Sequence, residues 1–231
     1  LGHCGGYDSD IVDAIVWAAG GHVDGVPDNA HPAQVINLSL GGGGRCKLHD
    51  PLEEATLVAN ALGAVVVVSA GNSNDDAYQY SPASCKDVIT VAATGVTSRR
   101  AYYSNWGHAV EIAAPGGGVY TNDDPATGTV SYDGFVWQAR NSGATVPAGY
   151  AYSGFAGTSQ AAPHVAGTVA LMQSARLAAG LPLLSPTQVL QVLHGTAKPP
   201  AIPVPPPRNR SIGAGIVDAQ AAVAAAVGNV E

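Results

Sequence analysis

The stretch Gly157-Thr158-Ser159-Gln160-Ala161-Ala162-Pro163-His164-Val165-Ala166-Gly167 decides the reading of this chain. A serine follows a glycine and a threonine at the mouth of an apolar segment, in which Val165, Val169, Leu171 and Met172 have helical spacing. A helix N-terminus presents unpaired backbone N–H groups and the positive end of the helix dipole. Ser159 placed there has its own N–H ready to hold a developing oxyanion and its Oγ exposed for attack. Gly157, Ala161 and Ala162 are small enough to let a substrate backbone come close. Local chemistry alone is also served by a serine that merely caps a buried helix.

The segments around this stretch alternate between strand and helix patterns. Asp10 to Ala19 carries a helical stripe of Ile11, Val12 and Ile15, with Asp8 or Ser9 available as a cap and Gly20-Gly21 as a stop. Gln34 to Leu40 reads as a core strand that runs into four glycines, and Leu52 to Leu62 as an amphipathic helix closed by Gly63. Ala64 to Ala70 is a continuous apolar, β-branched run of the kind found in parallel strands covered on both faces. Val88 to Ala93 and Val110 to Ala113 read as further strands, and Tyr120 to Ala151 as hairpin or loop. Ser185-Pro186-Thr187-Gln188 is a capping box that starts a helix reaching His194. Lys198 to Arg210 is a proline-rich surface loop, and Asp218 to Val227 a final alanine-rich helix. The pattern predicts an α/β fold with a mostly parallel sheet between helical layers.

A chain of 231 residues with 46% hydrophobic content buries one sizeable core, so a single domain is expected. The net charge of −7 and the lack of any Lys/Arg run argue against a nucleic-acid surface. No apolar run is long enough for a membrane span.

Four segments in the family's order, and a closing one after them, resemble the subtilisin-like serine proteases (subtilases). Gly157 to Gly167 resembles their nucleophile motif, with Gln160 where most members carry methionine. Val35-Ile36-Asn37-Leu38-Ser39-Leu40-Gly41-Gly42 resembles the substrate-binding strand, and Ser69-Ala70-Gly71-Asn72 the oxyanion-hole segment. Tyr103-Ser104-Asn105-Trp106-Gly107 with Ala113-Ala114-Pro115-Gly116 resembles the approach to the catalytic half. Gly213 to Ala219 resembles the closing strand and helix. The resemblance implies the three-layer subtilisin-like α/β fold, an extracellular peptidase acting on peptide or protein substrates, and Ser159 as nucleophile. It also implies Asn72 as oxyanion donor, where a strand-end turn is the plainer explanation of Gly71-Asn72. Ser39, Leu40, Gly41, Ala70 and Gly71 would line the specificity pocket and pair with substrate as an added strand. Their small or apolar side chains predict apolar or aromatic residues before the scissile bond.

A serine nucleophile needs a base and an orienting carboxylate, in the family order aspartate, histidine, serine, for which subtilisin is the reference case. None of the seven histidines stands in a His-Gly-Thr-His-type motif upstream of Val35. Both partners are therefore expected before Leu1. Leu1-Gly2 resembles the end of a core strand, so residues 1–231 are expected to be the C-terminal portion of one catalytic domain, with the N-terminal fragment of the same protease as the expected partner. The competing expectation is a non-catalytic, subtilase-derived peptide-binding module.

The resemblance further implies a Cys4–Cys46 disulfide across one rim of the cleft, leaving Cys85 over. It also implies a structural calcium ion held by Glu111 and the carbonyls of Lys86 and Val88. Calcium favours such oxygen donors, although the family usually has aspartate at the Glu111 position. A pairing of Glu111 with Arg99 or Arg100 serves that residue as well.

Overall fold

Val65-Val66-Val67-Val68 offers no polar face to solvent, and in the computed structural model, which describes residues 5–200 and 211–228, all four are buried. In chain order the elements are α1 (Asp8–Ala18), β1 (Val35–Leu38), β2 (Gly42–Gly43), α2 (Pro51–Ala61), β3 (Val65–Ser69), β4 (Tyr80–Ser81), β5 (Ile89–Thr94) and β6 (Ile112–Pro115). They continue with β7 (Val136–Asn141), β8 (Tyr150–Phe155), α3 (Thr158–Ala178), α4 (Pro186–Thr196) and α5 (Ala219–Val227).

The main sheet runs β1-β3-β5-β6, parallel throughout. Successive side chains of a strand point to opposite faces. Val66 and Val68 accordingly enter one core with Ile15 of α1 and Ala55 and Ala59 of α2. Val65 and Val67 enter the other with Val165, Val169 and Met172 of α3 and residues of α4 and α5. This is the three-layer α/β arrangement expected from the sequence. Tyr120 to Ala151 resolves into a hairpin, β7 antiparallel to β8, which delivers the chain to Gly157.

Several local readings hold and others shift. Ser185 and Gln188 form both bonds of the capping box at the start of α4. Helix α1 starts at Asp8, so Asp8 and Ser9 lie inside it; the cap position is Tyr7, without a side-chain bond, and Asp8 and Asp10 face the helix dipole instead. Leu171 is 57% exposed, off the buried stripe of α3. The Leu1-Gly2 strand end, Cys4 and most of the Lys198–Arg210 loop lie outside the described residues.

The disulfide differs from the Cys4–Cys46 expectation: Cys46 is bonded to Cys85, with the Cα atoms 5.0 Å apart. Two short pairings explain it. Strand β2 pairs antiparallel with β4, matching Gly42 to Ser81 and Gly43 to Tyr80, and Gly44 N–H donates to the Gln79 carbonyl. The chain then brings Cys46 to the turn after β4, where its N–H donates to Ser84 Oγ and where Cys85 N–H closes on the Pro82 carbonyl. A side chain on Gly41 would lie 2.8 Å from the Ser81 carbonyl, so glycine is needed for this approach. Non-reducing peptide mapping should yield the Cys46–Cys85 linkage. Cys85→Ala should lower the unfolding free energy by about 2–4 kcal/mol and loosen the glycine loop; a Cys4-linked peptide or an unchanged unfolding curve would contradict this.

Candidate active site

Helix α3 begins where β1 and β3 end. Its cap residue, Gly157, is buried, and the Gly157 N–H donates to the Gly116 carbonyl at 2.8 Å. Gly116 is itself held by the Tyr103 hydroxyl at 2.9 Å. Burial pushes the Tyr103 phenol up from its ordinary pKa, which keeps it a neutral donor. The Tyr103 motif thus fixes the entry of the chain into the serine helix.

Ser159 is half-buried in the first turn of α3, where its backbone N–H has no acceptor within the helix. Its Oγ lies 3.5 Å from the Ser39 carbonyl, the first residue after β1. A second bond fixes the pair: Ser39 Oγ donates to the Ser159 carbonyl at 2.8 Å and accepts from Asn37 Nδ2 at 3.0 Å. Pro163 makes this arrangement available. Proline has no N–H, so it cannot donate to the carbonyl four residues back, which is that of Ser159. Ser39 takes the vacant acceptor.

Asn72 stands beyond the end of β3, and its carboxamide is oriented by Thr158. Asn72 Oδ1 accepts from Thr158 N–H at 2.8 Å and from Thr158 Oγ1 at 3.0 Å. Thr158 Oγ1 also accepts from Gly71 N–H at 3.1 Å. With its oxygen committed to Thr158, the residue before Ser159, the amide keeps Nδ2 without a protein partner among the described residues.

Ser39, Leu40 and Gly41 come together with Ala70 and Gly71 at the C-terminal ends of β1 and β3, where Ser69 Oγ contacts the Leu40 carbonyl at 3.4 Å. The two groups differ in what they have left to offer. Ala70 N–H donates to Val91, the Ala70 carbonyl accepts from Asn105 Nδ2, Gly71 N–H is taken by Thr158, and the Gly71 carbonyl by Asn105 N–H. Ala70 and Gly71 thus form a wall, with no backbone group to spare for strand addition. Any pairing with an extended peptide falls to Ser39, Leu40 and Gly41, where β1 forms the open edge of the described sheet.

Thr158 and Asn105 are site residues that sequence reasoning passed over, although both stand in the quoted motifs. The available signal was their position: one precedes the serine, and the other is the sole carboxamide in the Tyr103–Gly107 motif. Among the described residues no imidazole hydrogen-bonds Ser159 Oγ. His164 Nδ1 is on the Gln160 carbonyl at 2.7 Å, His22 is with Asp24 and Asp28, His49 with Glu54 and His194 with Glu111, while His108 lies against Tyr78 and His31 is exposed. His3 lies outside the described residues.

Glu111, Lys86 and Val88 line one cavity of about 260 Å³, together with Asp87, Tyr78 and His108. Glu111 pairs there with His194, Oε2 to Nε2 at 3.0 Å, and not with Arg99 or Arg100. Arg100 is spent on the Ala101 and Ser104 carbonyls and Asn74 Oδ1. The donor chemistry suits a hard cation: Glu111 keeps one oxygen outside the His194 bond, Asp87 adds a carboxylate, and the loop offers carbonyls. The one cluster of metal-ligating side chains assembled among the described residues is Cys46, Glu53 and Cys85, whose sulfurs are bonded to each other.

The subtilase family profile (peptidase S8) matches residues 1–227. The extracellular basic protease of Dichelobacter nodosus is 43% identical over 231 residues, covering 99% of this chain and 34% of that protein. An extracellular protease of Xanthomonas campestris pv. campestris is 43% identical over 227 residues, covering 98% of this chain and 34% of its own length. Among solved structures, one from the proteases of Pseudoalteromonas arctica PAMC 21717 superposes with a TM-score of 0.83 at 41% identity, covering 96% of this chain and 60% of that one. A cold adapted subtilisin-like serine proteinase matches with a TM-score of 0.64 at 28% identity, covering 92% of this chain and 61% of that one. The chain spans about a third of the length of the two curated relatives. It belongs to the subtilase family.

Gln160 carries no oxidisable sulfur beside Ser159, and the chain's single methionine, Met172, is fully buried. Peroxide should therefore leave the native protein without a methionine sulfoxide. Gln160→Met should add one oxygen at residue 160 under the same treatment. Peptide mass mapping reads both, and oxidation of Met172 in the folded wild-type protein would contradict the burial.

Proposed function

From its family membership we propose that this chain is the nucleophile-bearing part of a secreted serine endopeptidase. The observation that supports the reading best is the Thr158–Asn72 clamp, which commits Asn72 Oδ1 to the residue before Ser159 and leaves Asn72 Nδ2 without a protein partner among the described residues. In this reading Ser159 Oγ attacks the scissile carbonyl of a peptide. The hydroxyl proton passes to a histidine oriented by an aspartate, then to the departing amine. Asn72 and the Ser159 N–H hold the oxyanion. Removing such a side-chain donor costs roughly 3–4 kcal/mol of transition-state stabilisation, a reference figure that comes from subtilisin itself. Small and apolar residues around Ala70, Gly71 and Leu40 favour apolar or aromatic side chains before the scissile bond. Extracellular proteases among the relatives support secretion.

The histidine and aspartate belong to an N-terminal segment of the same protease in this proposal. Two features support it: no described imidazole engages Ser159 Oγ, and the outer edge of β1 is open among the described residues. What the edge leaves open is backbone N–H and C=O, since Ile36 and Leu38 are buried and Asn37 is the exposed residue. Residues 1–231 alone should hydrolyse no peptide. Adding the N-terminal segment should restore hydrolysis and fluorophosphonate labelling, both abolished by Ser159→Ala. A segment without its histidine should restore neither. Full peptidase activity from chemically pure residues 1–231 would overturn the split.

Calcium at the Glu111 cavity belongs to the same proposal. Glu111, Asp87 and the carbonyls of Lys86 and Val88 would hold the ion, which would supply a structural charge tying the approach to β5 to the start of β6. Chelation should then lower the unfolding temperature, and Glu111→Gln should lower it without further response to chelator. An unfolding curve of the wild type indifferent to chelator would leave Glu111 to its His194 partner alone.

A further inference from the structure

The loop that carries Asn72 owes its shape to one buried side chain. Asn105 is fully buried, in the segment between β5 and β6. Its Oδ1 accepts from Ser73 N–H at 2.9 Å and from Asp75 N–H at 3.1 Å. Its Nδ2 donates to the Ala70 carbonyl at 2.8 Å, and its backbone N–H donates to the Gly71 carbonyl at 2.9 Å. Asn105 thereby bonds Ala70, Gly71, Ser73 and Asp75, the residues on both sides of Asn72, and leaves Asn72 itself untouched.

The backbone at this turn accepts the carboxamide closely. Gly71 has φ +99°, a conformation suited to glycine, and a side chain there would run into the Asn105 carboxamide. Asn105 is held from behind: Ser104 Oγ donates to the Asn105 carbonyl at 2.9 Å and accepts from Ala93 N–H in β5. Arg100 spans the same unit, bonding the Ser104 carbonyl and Asn74 Oδ1. Thr158 sets the direction of the Asn72 amide, and Asn105 sets the position of the backbone from which that amide projects.

We propose that Asn105 is a positioning residue for the oxyanion site, acting on the reaction through Asn72. The inference rests on the oxyanion reading of Asn72 and names the element that makes it rigid. Preorganised donors stabilise developing charge because they need not move when it appears, so a loosened loop costs turnover more than substrate affinity.

The test is a double-mutant cycle in the full-length protease. Asn72→Ala is compared with Asn105→Ala and with Asn105→Asp, which keeps the Oδ1 acceptors and loses the donor to Ala70. Active enzyme is counted by fluorophosphonate titration. In the wild-type background each Asn105 variant should lower kcat, on the order of 10–100-fold for Asn105→Ala, with KM within about twofold. In the Asn72→Ala background the same substitutions should cost little, because the group they position is gone. An equal loss in both backgrounds, a loss confined to KM, or no loss at all would overturn the inference. So would failure of both Asn105 variants to give titratable enzyme, which would make Asn105 a folding determinant. A harmless Asn72→Ala would instead defeat the oxyanion reading itself, a result distinct from these.

Discussion

Helix α3 is tied to the C-terminal ends of β1 and β3 by a short set of hydrogen bonds. Ser39 Oγ reaches the Ser159 carbonyl, Thr158 N–H and Oγ1 reach Asn72 Oδ1, and Gly71 N–H reaches Thr158 Oγ1. Each joins residues 86 or more positions apart, so none is a local habit of the chain. Their geometry depends on the valine strand β3, which is buried on both faces and therefore fixed in register against β1 and β5. Ser159, Asn72 and the Ser39–Gly41 segment share one place because a parallel sheet puts its strand ends on one side, and α3 starts there.

The helix serves two roles that draw on different residues. Its length packs through Val165, Val169 and Met172 against β3, β5 and β6, a contact of hydrophobic origin that accepts many sequences. Its first turn is specified by polar detail instead. Gly157 accepts the approach of Gly116, Thr158 is buried with its hydroxyl used twice, and Pro163 leaves the Ser159 carbonyl for Ser39. A serine that only capped a helix would need none of these. Thr158 and Asn105 then act in sequence, one turning the Asn72 amide and the other shaping the backbone beneath it.

How much of this was legible in the sequence depended on the range of the physics involved. The Ala64–Ala70 run and the helical stripe after Ser159 are local periodicities, and both elements appear where expected. The Ser185–Gln188 capping box is local as well, and forms in full. The disulfide was misread because its geometry is set by β2 and β4, two-residue strands with no periodicity to detect. The partner of Glu111 was equally hidden, since His194 closes a helix more than eighty residues away while Arg99 and Arg100 lie near in sequence. Ala70 and Gly71 were expected to pair with substrate, yet their backbone groups are consumed by Asn105, Thr158 and β5. Motifs showed which residues gather at the site, while the division of labour among them depended on contacts that only the folded chain reveals.

In the proposed reaction Asn72 and the Ser159 N–H together hold the charge that forms on the scissile carbonyl oxygen when Ser159 Oγ attacks. A crystal structure of the full-length protease inactivated by a fluorophosphonate tests it most directly, because the phosphoryl oxygen stands where the oxyanion would. The account predicts phosphorus bonded to Ser159 Oγ and its oxygen within hydrogen-bonding distance of both Asn72 Nδ2 and the Ser159 N–H, with Asn72 Oδ1 still on Thr158. Phosphorus on another residue, or an oxygen turned away from Asn72, would contradict it.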